Sequence, residues 1–389
     1  MKKADKSKII IAIVAISFIQ GLQYSVSPVL GQIQEHYKNI NVSLVQMLIT
    51  APALLAMLVA LISGGLVVKV SKKKLLIFAS ITSGIAGFLP LLSDSFGLLF
   101  FSRIFYGVSL GLACTLNTAV VAEFFEGNER VSVMGIQAAS IGTGMVVITT
   151  LGGRLGELGF QASYFINIIG FLSFIAIALC LPDTGKTQVT QTDKIRLNKD
   201  VFIISIFGML EFLFLITFTT NISMHISGEL TGNSTVSGIL IGIFSGAQIV
   251  MGLILGLVTK VTRKYTLPVA MLSFSIGGIF LICFPDNFVL LIIGALFCGF
   301  SQGMFIPQAM CDVANAVNPV ATTMASACFT CFMSLGQLIS PTVLNTASKL
   351  IFGNVTTSHA YLISSIGMVA AAGIVIMMKA GKKHEKQLQ

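Results

Sequence analysis

Gly65-Leu66-Val67-Val68-Lys69-Val70-Ser71-Lys72-Lys73 returns 191 residues later as Gly256-Leu257-Val258-Thr259-Lys260-Val261-Thr262-Arg263-Lys264. Six of the nine positions are identical, and Ser/Thr and Lys/Arg exchanges account for two more. The offset is close to half of the 389-residue chain. Each copy follows one long apolar segment and precedes another. An internal repeat decides architecture before any local reading, and this one describes two related halves, each with a basic hairpin between two hydrophobic helices.

Composition sets the solvent of those helices. Hydrophobic residues make up 55% of the chain and charged residues 10%, with a mean hydropathy of +0.92. A soluble domain carries about 25% charged residues. Apolar runs of about 20 residues, the length that spans a bilayer as helix, recur throughout. They fall at residues 8–30, 44–68, 75–92, 96–122, 131–151 and 162–181, then at 201–223, 235–259, 266–284, 288–311, 320–344 and 361–378. The expectation is an all-α membrane protein of twelve transmembrane helices. Residues 1–181 form a first six-helix bundle, 182–200 a connector and 201–389 a second bundle with a short tail. A short surface helix is expected near 194–199.

Charge orients the chain. With the N-terminus cytoplasmic, 20 of the 24 lysines and arginines fall in cytoplasmic segments. Only Lys38, Arg154 and Lys349 fall outside, and Arg103 lies within a span. By the positive-inside rule both termini are cytoplasmic. The same split accounts for the net charge of +9 without a nucleic-acid partner. The seven cysteines lie in or at the ends of spans; Cys328 and Cys331 have CxxC spacing, but nothing completes a metal site. No cofactor is expected. A phosphate-binding loop is absent, which argues against an ATP-driven pump.

The repeat extends further. Gly107-Val108-Ser109-Leu110-Gly111 matches Gly299-Phe300-Ser301-Gln302-Gly303 at offset 192, and Gly142-Thr143-Gly144 falls opposite Ser334-Leu335-Gly336. Six spans is an even number, so corresponding helices run in the same direction. Parallel repeats of this kind are related by an axis along the membrane normal and place substrate near the midplane.

These residues resemble the major facilitator superfamily over essentially the whole chain. Gly64, Leu66, Lys69, Ser71, Lys72 and Lys73 fill the family's hairpin signature, with Val68 where the family has Asp. The resemblance makes gating hairpins of Gly65, Lys69, Lys72 and Lys73, and of Lys260, Arg263 and Lys264. Leu99, Arg103 and Gly107 match a signature of the proton-linked branch, with Tyr106 in place of Gln. Gly135, Gly144, Gly152 and Gly153 match part of the drug–proton antiporter signature, with Ile148 and Thr149 replacing its Gly-Pro pair. The resemblance implies a monomeric, proton-coupled transporter of small molecules in the plasma membrane. Sodium is an alternative coupling ion.

Two charges stand inside the apolar spans. Glu211 lies near the centre of span seven and Arg103 in the outer half of span four. A charge at mid-bilayer costs on the order of 3 kcal/mol, so it faces a cavity or a partner. Glu211 suits a proton carrier or a counter-ion for a cationic substrate; its bland alternative is a protonated acid bonded to a neighbouring helix. Arg103 suits support of the proton path or an anchor for a substrate carboxylate, against a bland pairing with backbone carbonyls. Gln20, Gln23, Tyr24, Asn117, Gln137, Gln248, Gln302, Gln308 and Gln337 are the neutral candidates for a partly polar cavity.

The leading expectation is proton-coupled export of a small organic solute. Uptake or exchange of an organic anion anchored by Arg103 is the alternative. A non-transporting sensor or a lipid scramblase is a different class, weighed against by the absence of a soluble output domain within these 389 residues.

Overall fold

The computed structural model describes residues 3–186, 198–317 and 322–388. The expected start of span eleven at 320, and most of the surface helix expected at 194–199, lie outside them. The described residues are helical, without a strand. Eleven stretches among them are long and apolar enough to cross a membrane. One of these, Ser234–Cys283, is 50 residues long, about 75 Å as continuous helix, more than twice a hydrocarbon core. It contains two helices, with Arg263 at φ 50° between them.

The chain divides into two compact units, Met1–Asp193 with Asn233–Gly242, and Lys194–Gly232 with Ile243–Gln389. In the first unit α1 (Lys3–Gly21) runs into two 3-10 turns, Leu22–Tyr24 and Ser27–Val29, before α2 (Leu30–His36). Pro28 sits inside the second turn, where its missing N–H interrupts an α-helix. Helix α3 (Val42–Thr50) starts on an Asn41 cap, whose Oδ1 accepts from Ser43 N at 2.8 Å. It stops at Ala51-Pro52, where α4 (Pro52–Lys69) begins. Val70 is extended, Ser71 caps α5 (Lys72–Phe88), and α6 (Phe96–Phe124), α7 (Gly127–Gly156) and α8 (Ile168–Cys180) follow.

The second unit holds α9 (Lys199–Leu215), α10 (Thr217–His225), most of α11 (Ser234–Thr262), α12 (Thr266–Cys283), α13 (Phe288–Asn315), α14 (Thr322–Phe352) and α15 (Thr357–Leu388). The two hairpins differ in detail. Lys260 is still within the last turn of α11, and the reversal falls on Arg263–Tyr265. The first turns of α11 belong to the first unit. Ser234 Oγ donates to Gly153 O at 2.7 Å, and a Cβ on Gly153 would stand 2.5 Å from Ser234 O.

Helices in lipid gain little from hydrophobic burial and associate instead through close packing of small residues. The repeat expresses this in duplicate. A Cβ on Gly107 would lie 2.3 Å from Pro52 O, and one on Gly111 2.6 Å from Ala56 O. In the second unit a Cβ on Gly299 would lie 2.2 Å from Phe244 O, and one on Gly303 2.6 Å from Gln248 O. Both pairs of carbonyls carry the 192-residue offset seen in the sequence. The same helix-on-helix contact, α6 on α4 and α13 on α11, is therefore built twice.

Gly107→Ala and Gly299→Ala are each expected to destabilise the protein by about 3 kcal/mol, because backbone cannot yield to the added methyl. Gly135→Ala is the control: nothing lies within 4 Å of its added Cβ, and alanine is the better helix former. Thermal unfolding in detergent measures the difference. Equal midpoints for Gly107→Ala and Gly135→Ala would refute it.

Candidate functional site

Pro52 has no N–H, so the carbonyl of Leu48, four residues earlier, loses its helical donor. Arg103 on α6 supplies one. Its Nε donates to Leu48 O at 2.9 Å, its Nη2 to Gln23 O and its Nη1 to Ser25 Oγ at 3.4 Å. The guanidinium carbon sits 5.2 Å from the Tyr106 ring centre, a cation–π distance. Gln23, itself buried, donates through Nε2 to Ile49 O at 3.2 Å. Tyr106 OH donates to Ile19 O. One cation thus holds two irregular stretches, the break after α1 and the break between α3 and α4.

Deeper in the first unit, three more candidates join α1, α6 and α7. Gln20 Nε2 donates to Ala113 O at 3.3 Å, and Asn117 Nδ2 to Ser17 Oγ at 2.9 Å. Gln137 Nε2 donates to Thr118 Oγ1 at 3.2 Å. Asn117 is fully buried, and its Oδ1 has no hydrogen-bond partner among the described residues. Tyr24 is half-buried.

Glu211 stands near the end of α9 in the second unit, with no exposed surface. Ser301 Oγ on α13 donates to its Oε1 at 2.9 Å, while Oε2 has no partner among the described residues. No ion pair to Glu211 occurs among the described residues. Gln302 on α13 and Gln337 on α14 are also buried, and Gln302 Oε1 and Gln337 Nε2 are likewise unpartnered. Buried polar atoms are normally satisfied; in this unit's interior a carboxyl oxygen and two amide atoms lack a partner among the described residues. Gln308 is not part of this set; it donates to Asp312 Oδ1 at 2.8 Å on its own helix. Gln248 is half-buried on α11.

Glu211 and Arg103 break the internal symmetry. At the 192-residue offset Glu211 corresponds to Ile19 and Arg103 to Ala295. Sequence reading passed over Ser301 as a partner of Glu211, although it had already marked Ser301 as part of the repeated Gly-x-Ser-x-Gly stretch. It also missed Ser25 and the Pro52-freed carbonyl. Glycine spacing gave a partial signal in span five: Gly144 lies against Phe18 of α1 and Gly153 against Ser234, whereas Gly135 meets nothing.

At the basic end of the first unit two lysines pair with acids. Lys72 reaches Glu123 at 2.9 Å and Lys6 reaches Glu129 at 2.6 Å. Asp183, just beyond α8, accepts from Gly185 N at 3.0 Å. That bond, the Ser71 hydroxyl and the nearby Lys74 and Lys73 hold its carboxyl below the usual range. Val68 leaves the hairpin without an acid of its own, and Asp183 brings one from the connector.

At the opposite end, Asp94 accepts from Tyr37 OH at 2.7 Å and meets His36 Nε2 at 2.9 Å. These two bonds, Tyr37 first, hold its carboxyl below the ordinary value. A depressed carboxyl adds stability above its unfolded-state pKa and loses it as pH falls through the folded one. Asp94→Asn is therefore expected to lower neutral stability modestly and to flatten the acid limb of the unfolding profile, with stability at the acid end little changed. An unchanged acid limb would refute the link.

No group of three or more metal-binding side chains occurs among the described residues. Comparison with known proteins adds three findings. The sequence profile described as Major Facilitator Superfamily matches residues 11–220 and 202–389. The chain is 25% identical over 164 residues to the quinolone resistance protein NorA of Staphylococcus aureus, covering 40% of this chain and 42% of that protein. It is 28% identical over 156 residues to the riboflavin transporter RibZ of Clostridioides difficile, covering 40% and 34%. The alignments thus span about two fifths of the first relative and a third of the second. Among solved structures, a mutant of the nucleoside transporter NupG superposes with a TM-score of 0.78 at 15% identity, over 95% of this chain and 99% of that one. A POT family transporter superposes with a TM-score of 0.81 at 9% identity, over 97% and 96%. At these identities the likeness is one of fold.

Proposed function

The chain belongs to the major facilitator superfamily, and from that premise we propose that it is a proton-coupled exporter of small, partly lipophilic organic compounds. A multi-pass membrane transporter without enzymatic chemistry is what the family match establishes, and the structural neighbours add the fold. Coupling, direction and solute class are the proposed part. Twelve spans, with α11 and α12 counted separately, cytoplasmic termini, the six-plus-six division at 181 and 201, a monomeric state and the plasma membrane belong to the same reading.

Glu211 carries it. A carboxyl with no exposed surface, one hydroxyl donor and one unpartnered oxygen is held as a neutral acid or beside a cation. Cycling between those conditions links protonation to the presence of a cationic solute, and the linked equilibrium biases one transport state over the other. The name of the staphylococcal relative, quinolone resistance, supports an organic solute and export. The name of the clostridial one, riboflavin transporter, supports a small heteroaromatic solute. Arg103 then acts as a structural tie in the first unit.

An organic anion bound at Arg103 is the second reading, favoured by the presence of a buried cation. It is weakened by the three guanidinium nitrogens that already donate to Leu48, Gln23 and Ser25.

Proteoliposomes loaded with a pH-sensitive dye test the proposal. Adding lipophilic cations, neutral lipophiles or carboxylates in turn should produce solute-dependent proton movement with the cations. Proton movement with carboxylates alone would overturn the export reading in favour of the anion one.

A further inference from the structure

A cavity of about 460 Å³ opens at the basic end of the first unit, between the ends of α1, α5, α6 and α8. Lys8, Ile9, Lys73, Phe124, Leu179 and Leu181 are among the residues that line it. The volume lies within the range of ordinary small-ligand sites. Its chemistry is divided. Two ammonium groups face an apolar wall, and no acid belongs to the lining. Lys73 spends one donor on the last turn of α8, through Nζ to Ala178 O at 2.8 Å. Lys8 is exposed, with no ion pair among the described residues. Of the acids nearby, Glu123 pairs with Lys72, and Asp183 accepts from Gly185 N and lies close enough to Lys74 and Lys73 to feel their charge without an ion pair to either among the described residues.

Leu179 identifies the surroundings. It is 76% exposed near the end of α8, in a stretch long and apolar enough to cross a membrane, and an exposed leucine at that place is suited to acyl chains rather than water. A ligand here meets cations on one side and hydrocarbon on the other. We propose that this cavity binds an anionic phospholipid, with the phosphate between Lys8 and Lys73 and an acyl chain along Leu179. Basic pockets between transmembrane helices near the headgroup level select such lipids, and each lysine near the surface contributes about a factor of five in affinity. A lysine that merely reaches toward the headgroups needs no cavity and no preference for one lipid. The site would tie the hairpin helix α5, through Lys73, to the composition of the leaflet it faces.

Native mass spectrometry and thermal unfolding of the full chain in detergent test this, with phosphatidylglycerol, phosphatidylcholine, glycerol phosphate and inorganic phosphate as probes. A ligand of the folded state raises the unfolding midpoint by mass action. Phosphatidylglycerol should bind and stabilise, phosphatidylcholine should not, and Lys8→Gln should weaken phosphatidylglycerol about fivefold. Lys8→Gln with Lys73→Met should remove the preference, and Lys38→Gln at the opposite end should retain it. Equal response to the two lipids, or unchanged affinity in Lys8→Gln, overturns the proposal. Stabilisation by glycerol phosphate or inorganic phosphate equal to that by the lipid overturns the lipid assignment and leaves a soluble anion. Lys73 also caps α8, so Lys8→Gln decides the matter where a Lys73 variant does not fold.

Discussion

Glu211→Gln is expected to abolish solute-driven proton movement, with a fall of at least about tenfold from wild type, while leaving thermal stability within about 1 kcal/mol. Glutamine keeps the shape of the side chain and keeps an acceptor for Ser301 Oγ, now 2.9 Å from Oε1. It cannot exchange a proton. A purely structural Glu211, bonded to α13 as a neutral acid, would also tolerate the change in stability, so transport is the deciding measurement. Two further readouts separate the roles. Stabilisation by lipophilic cations should disappear in Glu211→Gln if the carboxylate is their counter-ion, because the attraction to a charge is gone. Ser301→Ala removes the one described donor to Oε1 and should shift the pH midpoint of transport while retaining coupling. Wild-type proton movement in Glu211→Gln would end the proton-carrier role.

The repeat was readable because the chain states it twice. Gly107 and Gly111 in one half, Gly299 and Gly303 in the other, each lie against carbonyls 192 residues apart, and equal spacing in sequence became equal spacing in space. The long apolar runs were readable because lipid imposes length and composition on any helix that crosses it. Interruptions were harder to place. Pro28 was a visible signal, yet the path from Gly21 to Leu30, two 3-10 turns in succession, depends on Arg103 drawing in the Gln23 carbonyl from α6. A contact across 80 residues has no local signature. The same holds for Asp183, which follows α8 and returns to the first hairpin, and for the first turns of α11, which pack against Gly153.

Candidate residues divided according to how much of their chemistry was local. Glu211 was conspicuous from hydropathy alone, since a carboxylate among Leu210 and Phe212–Leu215 has few explanations. Whether it would meet a cation, a hydroxyl or nothing was not legible, because that depends on which face of α13 turns toward α9. The structure answers with Ser301 and an unpartnered oxygen. The glutamines show the limit from the other side. All looked equivalent in sequence, yet Gln20, Gln23 and Gln137 bond to neighbouring helices, Gln308 bonds within its own, and Gln302 and Gln337 keep unpartnered atoms in the unit that holds Glu211.

Arg103→Ala should destabilise the protein by about 3–5 kcal/mol, since it strands the carbonyls of Leu48 and Gln23 in a buried, water-poor setting. Arg103→Lys should recover part of that loss. An ammonium reaches one of these oxygens but cannot span both as a planar fork does. The assignment of Leu48 O to Arg103 rests on Pro52, and this gives a sharper experiment. Pro52→Ala restores an N–H four residues after Leu48, so the carbonyl regains a helical donor. In that background Arg103→Ala should cost about 1 kcal/mol less than in wild type, a coupling of the size expected for contacting groups in membrane proteins. Unfolding of the four proteins in one detergent closes the cycle. Strict additivity would mean that Arg103 does not serve the proline break, and a stable Arg103→Ala that had lost only carboxylate transport would instead place a substrate anion on the guanidinium.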